Sequence, residues 1–310
     1  MDLSAINPIL LVASIMVSAT PILLAAIGEM VVEKSGVLNL GVEGMMITGA
    51  VIGFVIAINS GSPLLGFLIA ALAGAIVSLS FGVLTQVFLS NQVATGLGLT
   101  LVGLGLSSLI GKPYEGMKAE TLPKLDIPIL GDLPVLGQMF FSHDIMVYLS
   151  LLLVLAVWAF LKFTRAGLVL RAVGESHDSA HALGYKVIRV RMVAIMFGGA
   201  CAGLGGAYLS LVRVPQWTEG MTAGAGWIAL AIVVFASWRA GRVLIGAYLF
   251  GGITVLQLNL QAAGMTWGVQ YLSMSPYLIT ILVLVFISSN RKRASHDAPA
   301  SLGQTFHATR

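Results

Sequence analysis

Few residues in this chain have the type and spacing that chemistry requires. His177 and His181 are four residues apart, which would place two imidazoles on one face of a helix as metal ligands. Asp178 is the one further ligand at hand, so interfacial polar residues are the better interpretation and no metal site is expected. The GxxxxGK[ST], HExxH, CxxC and GxSxG patterns are absent. We therefore expect no catalytic residues, no cofactor and no enzymatic activity.

Acidic residues inside apolar surroundings are scarce, and Glu43 is the most informative of them. It lies between Gly41 and Gly44 and follows Asn39. One interpretation is a helix N-terminus that Asn39 caps, with the Glu43 carboxylate near the positive end of the helix dipole. The other is a glycine-flanked break whose exposed backbone and carboxylate line a pathway. The sequence leaves both open.

A second polar, glycine-rich stretch covers residues 213–227. Its Trp217 and Trp227 fit an aromatic belt at the outer interface of a membrane. The functional interpretation is an irregular segment at the mouth of a pathway, formed together with residues 39–46. The candidate pathway residues are Asn39, Glu43, Gly44, Trp217 and Glu219.

The elements that must position these residues are membrane helices. The chain is 57% hydrophobic and 10% charged, where a soluble domain has about a quarter charged residues. Apolar runs recur at the length of roughly 20 residues that a helix needs to cross a bilayer. The predicted fold is all-α, a polytopic transmembrane bundle over residues 1–290 with about nine spans. They cover 8–30, 38–58, 64–89, 93–110, 144–163, 189–212, 225–238, 243–262 and 273–289.

Lysine and arginine positions predict the orientation. With the C-terminus inside, thirteen of the seventeen basic residues lie on the cytoplasmic side, as the positive-inside rule favours. The N-terminus is then outside. Glu29 and Glu33, at the cytoplasmic end of the first span beside Lys34, fit an interfacial position. The polar tail, residues 291–310, has the composition of a disordered cytoplasmic segment.

Two connections between the spans are long. Residues 111–143 form an external loop that is too polar to span and too rich in proline for one helix. This loop is either a solvated lid or a docking surface for an extracytoplasmic partner.

The cytoplasmic loop, residues 164–191, contains the signals of a short surface helix at 177–183. Ser176 is a good N-cap, Asp178 suits the first turn, and Gly184 supplies a left-handed stop. Such a helix projecting from two spans would fit the groove of a partner. The alternative is a solvated loop whose charges only obey the positive-inside rule.

Three stretches carry a family resemblance. They read GEMVVEKSGVLNLGVEGMMITGA, RAVGESHDSAHALGYKVIRVR and GAGWIALAIVVFASWRAGRVLIGA. Together they resemble the permease subunits of ABC importers for nucleosides and simple sugars, within the superfamily of ribose and branched-chain amino acid permeases. The resemblance runs from about Thr20 to Phe286. Residues 236–241 depart from the glycine-rich turn and proline of relatives.

The resemblance implies the ABC importer permease fold in the bacterial inner membrane. Its implied partners are the lipid bilayer, an ATP-binding subunit, a second and different permease subunit, and an extracytoplasmic solute-binding protein, with no nucleic acid. The short helix would be the coupling helix that docks on the ATPase, and Asn39 and Glu43 would lie near the solute path. The expected coupling residues are Ser176, His177, Asp178, Ala180, Ala182, Leu183 and Gly184.

The expected function is therefore import of nucleosides or related solutes, with simple-sugar import as the alternative. An ion-coupled secondary transporter would need an acid deep in the bundle, for which Glu43 is the one good candidate. A scaffold or assembly factor is a third class, which predicts no solute-dependent phenotype on deletion.

Overall fold

The computed structural model describes most of the chain as helix. The described residues are 8–263 without 126, 127, 129, 130, 132 and 134, then 268, 271, 274, 275, 277, 278, 281, 282, 285 and 298–307. The helices are α1 Pro8–Lys34, α2 Val42–Ser60, α3 Pro63–Gly82, α4 Gln92–Gly111, α5 Leu136–Phe140, α6 Ile145–Phe163, α7 Arg165–Glu175, α8 His177–Ala182, α9 Val187–Tyr208, α10 Ala225–Phe235 and α11 Ala240–Ala262. The π-helical turns Val83–Val87 and Leu209–Arg213 extend α3 and α9, and a 3-10 turn, Lys112–Tyr114, extends α4. Among these residues no strand forms beyond the single bridge between Lys124 and Asp144.

Seven helices in the described part of the chain are long and apolar enough to cross a membrane. They are α1, α2, α3, α4, α6, α9 and α11, which correspond to the first six predicted spans and the eighth. The predicted seventh span, 225–238, is the helix α10 of 11 residues. At 1.5 Å per residue it is about 16 Å long, half the thickness of the hydrocarbon. The nine-span count is thus not confirmed, and its last member, 273–289, lies largely outside the described residues.

Helix α9 lies at the centre of the bundle because its glycines let three other helices approach its backbone. A Cβ at Gly206 would collide with the carbonyl oxygen of Met46 on α2, and one at Gly203 with the carbonyl oxygen of Ala70 on α3. On α1, a Cβ at Gly28 would lie 2.5 Å from the Cβ of Cys201. Small residues at helix contacts are the usual means of close packing in membranes, where lipid removes the hydrophobic drive for association. Cys201 is accordingly a small packing residue.

Long connections collect at the two ends of the bundle. At one end, the tail end, Gly303 N–H donates to the Gly36 carbonyl at 3.1 Å and Ser301 N–H to the Gly174 carbonyl at 2.9 Å. At the other end, the long-loop end, Ala119 N–H donates to the Pro215 carbonyl at 3.1 Å. The tail end brings together the end of α1, the 164–191 loop and the C-terminal residues. These are segments that the positions of lysine and arginine predict on the cytoplasmic side. That the tail end faces the cytoplasm stays a prediction.

Residues 298–307, hereafter the tail segment, are packed although their composition predicts disorder. Ser301 is 3% exposed and Phe306 is 4% exposed. Ala298 and Leu302 pack against the main core. Local composition misses this packing because the surface that covers the segment comes from α1, α7 and α9.

Candidate functional site

Helix α10 begins in the middle of the bundle and ends near the tail end. A Cβ on Gly44, in the first turn of α2, would lie against Leu99 and Thr100 of α4. Leu99 and Thr100 lie about 12 Å along α4 from its first residue, Gln92. Gln92 lies at the tail end, where its side-chain oxygen accepts from Leu38 N–H. Since α10 begins next to this turn of α2, residues 214–224 must descend from the long-loop end to mid-depth. Irregular backbone at membrane depth is tolerated where protein surrounds it or where it lines a cavity.

The Glu43 carboxylate holds the N-terminus of α10. Glu43 is 3% exposed, and its Oε1 accepts from the Thr222 hydroxyl at 2.5 Å and from Gly224 N–H at 2.9 Å. Its Oε2 accepts from Gly226 N–H at 2.7 Å. The first N–H groups of a helix have no partner within the helix and carry partial positive charge, so a carboxylate is well suited to them.

Glycine is required at both backbone donors. Gly224 has φ +85°, which side chains other than glycine rarely adopt. A Cβ at Gly226 would lie 2.5 Å from the Glu43 backbone nitrogen and 2.9 Å from its carboxylate. Both sides of this contact, Glu43 and the glycines of residues 213–227, are therefore features that the sequence analysis identified separately.

Of the two interpretations that the sequence left open for residues 39–46, the one in which Asn39 caps α2 is wrong. Gly41 occupies the N-cap position of α2 and makes no side-chain cap. The Asn39 Oδ1 instead accepts from Gly41 N–H at 3.0 Å, and its Nδ2 donates to Glu29 Oε2 at 3.4 Å. Asn39 is fully buried.

The other candidate pathway residues also lie in protein contacts. Gly44 packs on α4. Trp217 is 2% exposed, its indole donates to the Ser107 hydroxyl at 3.2 Å, and it covers Gly111, so its placement in an exposed aromatic belt is wrong. Glu219 accepts from the Ser108 hydroxyl at 2.6 Å at the long-loop end.

A cavity of about 370 Å³ lies beside the N-terminus of α10, between α1, residues 209–228 and α11. Phe250 and Tyr277, whose rings meet edge to face at 5.9 Å, contribute aromatic surface to it. The polar side chains in its lining belong to Ser18, Arg213, Thr218, Thr222, Thr254 and Gln257.

Sequence reasoning missed most of this lining. Thr254 and Gln257 are three residues apart in an apolar helix and therefore share a face, which is a signal that could have been used. Thr222 and Arg213 lie in the polar, glycine-rich stretch 213–227, whose predicted pathway residues are Trp217 and Glu219. A second cavity, of about 710 Å³ between α1, α6, α7 and α9, is lined by apolar side chains with Arg189.

Two carboxylates near the tail end of α1 are buried in protein contacts, and the interfacial depth expected for them stays a prediction. Glu29 and Glu33 are each 1% exposed, because α1 continues to Lys34 and is covered there by the turn between α10 and α11. In that turn Trp238, at φ +53°, donates its indole N–H to Glu33 Oε2 at 2.5 Å. This contact gives a physical reason for the unusual turn at residues 236–241.

The short helix predicted in the 164–191 loop is confirmed as α8. The Ser176 hydroxyl accepts from Ser179 N–H at 3.3 Å, and Asp178 lies in the first turn. Leu183 follows the last helical residue, and Gly184 has φ +88°. The longer helix α7, which precedes α8, was not predicted.

Helix α8 has a buried face and an exposed face. His177 and Ala180 are buried at 8% and 2% exposure, so they lie beneath the helix and out of reach of a partner. Asp178 and Ala182 are exposed, as is Leu183 at 76%. Of the predicted coupling residues, His177 and Ala180 are therefore inaccessible, whereas Asp178, Ala182, Leu183 and Gly184 are exposed.

The His177 ring lies between Arg191 and Asp178. Its Nδ1 is 3.4 Å from Arg191 Nη2, and its Nε2 is 3.5 Å from Asp178 Oδ1. Burial lowers the pKa of His177, the positive charge of Arg191 lowers it further, and Asp178 opposes both. A neutral ring that accepts at Nδ1 satisfies this geometry.

These features define a class of protein. A bundle of membrane-length helices, a half-length helix that starts beside a polar cavity, and a short helix exposed between two spans are the parts of a solute permease. The chain belongs to the family described as the branched-chain amino acid transport system permease component, which it matches over residues 11–287.

The names of similar proteins agree with the family. A Haloferax volcanii protein provisionally named as the glucose ABC transporter permease TsgC13 is 39% identical, with 94% of this chain and 95% of the relative covered. The guanosine ABC transporter permease NupQ of Bacillus subtilis is 34% identical over 92% and 93% of the two chains. The nucleoside ABC transporter permease NupC of Lactococcus lactis is 28% identical over 89% and 91%. No solved structure matches the chain.

The chain is therefore a permease subunit of an ABC transporter, a multi-pass membrane protein and not an enzyme. This confirms the resemblance drawn from its three sequence stretches. An ABC permease subunit implies an ATP-binding subunit and a solute-binding protein as partners.

Proposed function

We propose that this permease imports nucleosides or related solutes, together with a second and different permease subunit. Membership of the ABC permease family over residues 11–287 carries the proposal, and the guanosine and nucleoside permeases among the relatives support the solute class. In this arrangement the tail end faces the cytoplasm, with the N-terminus outside.

The solute passes through the cavity beside α10. Support comes from the position of that cavity at the N-terminus of a half-length helix, the place where discontinuous helices bind solutes in transporters. Hydroxyl groups of Thr222 and Thr254 and the amide of Gln257 can exchange hydrogen bonds with a ribose, and Arg213 adds N–H donors. Phe250 and Tyr277 offer aromatic surface for a planar base.

Simple-sugar import is the second candidate, because the 39% identical relative carries glucose in its name. Sugars share the hydroxyl chemistry of nucleosides but lack the base. Substitution of Phe250 by leucine should therefore raise the KM for a nucleoside more than the KM for a sugar. Equal effects on both solutes would contradict recognition of the base by Phe250, and uptake of a sugar but not of guanosine by the wild type would favour the sugar assignment.

The coupling site is the exposed face of α8. Its support is the exposed Leu183 and Ala182 on a helix that projects between two spans, with the family's ATP-binding subunit as occupant. Ala182→Glu should abolish co-purification of the ATPase while the permease stays inserted, because an unpaired charge would be buried at the contact. Ala182→Ser is the matched control and should retain the ATPase, whereas retention by Ala182→Glu would remove the docking assignment.

Reconstituted uptake tests the energy source. Vesicles that contain the permease pair, the ATPase and the solute-binding protein should accumulate radiolabelled guanosine only when ATP is present. Uptake that persists on an ion gradient without ATP and without the ATPase would instead indicate a secondary transporter with Glu43 as the coupling acid.

A further inference from the structure

A single buried arginine joins four segments at the tail end. Arg191 is fully buried. Its Nε donates to the Ser35 carbonyl at 3.2 Å, after the end of α1, and its Nη1 donates to Gln86 Oε1 at 3.3 Å. Nη1 also donates to the Gln304 carbonyl of the tail segment at 3.1 Å, and Nη2 lies against His177 of α8. A buried charge is costly unless its partners are in place, so the four segments hold one another in position.

The tail segment also packs against the buried face of α8. The Phe306 ring is 4% exposed and meets the His177 ring edge to face at 5.4 Å and the His181 ring at 5.3 Å. It belongs to a small core with Ala180 of α8 and Val187 at the start of α9. Thus the buried face of α8 rests on an aromatic side chain that lies more than 120 residues later in the sequence.

Backbone contacts fix the other half of the segment. Ser301 N–H and Gly303 N–H donate to the carbonyls of Gly174 and Gly36. A Cβ at Gly36 would lie 2.9 Å from Arg191 Nη2 and 3.3 Å from the Ser301 carbonyl oxygen. The segment is therefore seated in a close-fitting groove between the end of α1 and the end of α7.

Helix α8 needs such support because it has six residues. Isolated helices shorter than about 12 residues are marginal even with favourable sequences. The cap at Ser176 and the stop at Gly184 define its ends, but its orientation depends on what lies beneath it.

From these contacts we infer that the tail segment is a positioning element for the ATPase-docking surface. The tail segment holds α8 in its docking orientation. Through its contact with Arg191, it also transmits displacements of α8 to the end of α1. The middle of α1 lines the solute cavity. This inference rests on the proposed docking role of α8.

Phe306→Ala in the complete transporter tests the inference. Buried phenylalanine truncations shift a local equilibrium by roughly a hundredfold or more, so amide hydrogen exchange at residues 180–183 should accelerate by about that factor, while exchange in the middle of α9 stays unchanged. Uptake per ATP hydrolysed should fall several-fold at normal membrane levels. His307→Ala, at an exposed neighbour, is the control, and Phe306→Leu should restore most of the coupling.

Unchanged exchange in α8 and an unchanged ratio of uptake to hydrolysis in Phe306→Ala would overturn the inference. Should that variant fail to insert, a chain shortened after residue 303, which also lacks Phe306, provides the same two readouts. Failure of the proposed ATPase docking on α8 gives a different result. In that case Ala182→Glu would retain the ATPase, whatever the tail variants do.

Discussion

At the scale of single residues, Glu43 is the side chain on which the proposed solute path depends most. It belongs to α2 but caps α10, so it fixes the depth at which the half-length helix begins. The pattern around Glu43 indicated a carboxylate at a helix N-terminus. It did not indicate that the helix lies 180 residues further along the chain.

Glu43→Gln removes the charge and one of the acceptors for the three donors. We expect a loss of about 1–3 kcal/mol in the stability of the α10 N-terminus, the usual result of an unsatisfied buried donor, and reduced uptake at normal expression. The midpoint of thermal unfolding in detergent and the initial uptake rate measure the two effects. Glu175→Gln, exposed at the end of α7, is the control. A wild-type rate and midpoint for Glu43→Gln would contradict the role.

His177 makes the tail end sensitive to pH. Its folded-state pKa lies below the ordinary value of 6.5, so the unfolded state binds the proton more readily. The stability is therefore complete above pH 6.5 and falls as the pH drops from 6.5 toward the lowered pKa. The unfolding midpoint should decrease between pH 7.5 and pH 5.5 by more in the wild type than in His177→Gln, whose amide oxygen can still accept from Arg191. Equal decreases would contradict this assignment.

At the scale of elements, α9 is the helix against which the others pack. Gly206→Leu would force α9 away from the Met46 carbonyl, and we expect destabilisation by several kcal/mol or failure to insert, because overpacking in a tight contact costs about 1–3 kcal/mol even for a few added methylenes. Gly98→Leu, on α4 with open space at its Cβ position, should be tolerated. The fraction of monodisperse protein after extraction and heating compares the two. Similar behaviour of both variants would contradict the central position of α9.

The elements differ in how well the sequence predicts them. Apolar length predicted the seven membrane-length helices, among nine predicted spans, because crossing a membrane is a local requirement of each segment. Capping residues predicted α8 for the same reason. The depth of α10, the packing of the tail segment and the burial of Trp217 depend on contacts between distant segments, for which a single sequence has no local signal.

At the scale of the whole molecule, the proposed function assigns different roles to the two ends. The tail end gathers α8, Arg191 and the tail segment, which together would receive the ATPase. The long-loop end gathers residues 111–143 and 214–224, where a solute-binding protein would deliver its cargo. The cavity beside α10 lies between these ends, so a movement at α8 has to reach it through α1 and α9.

Accessibility of the cavity tests the central claim most directly. Cys201 is buried and is the single cysteine of the chain, so Thr254→Cys can be labelled selectively with a water-soluble maleimide in the reconstituted transporter. We predict that labelling of Thr254→Cys is rapid, is slowed by guanosine delivered with its binding protein, and changes when ATP is added. Ser60→Cys, exposed at the turn between α2 and α3, should respond to neither. Labelling of Thr254→Cys that is indifferent to both solute and ATP would contradict a solute path through this cavity.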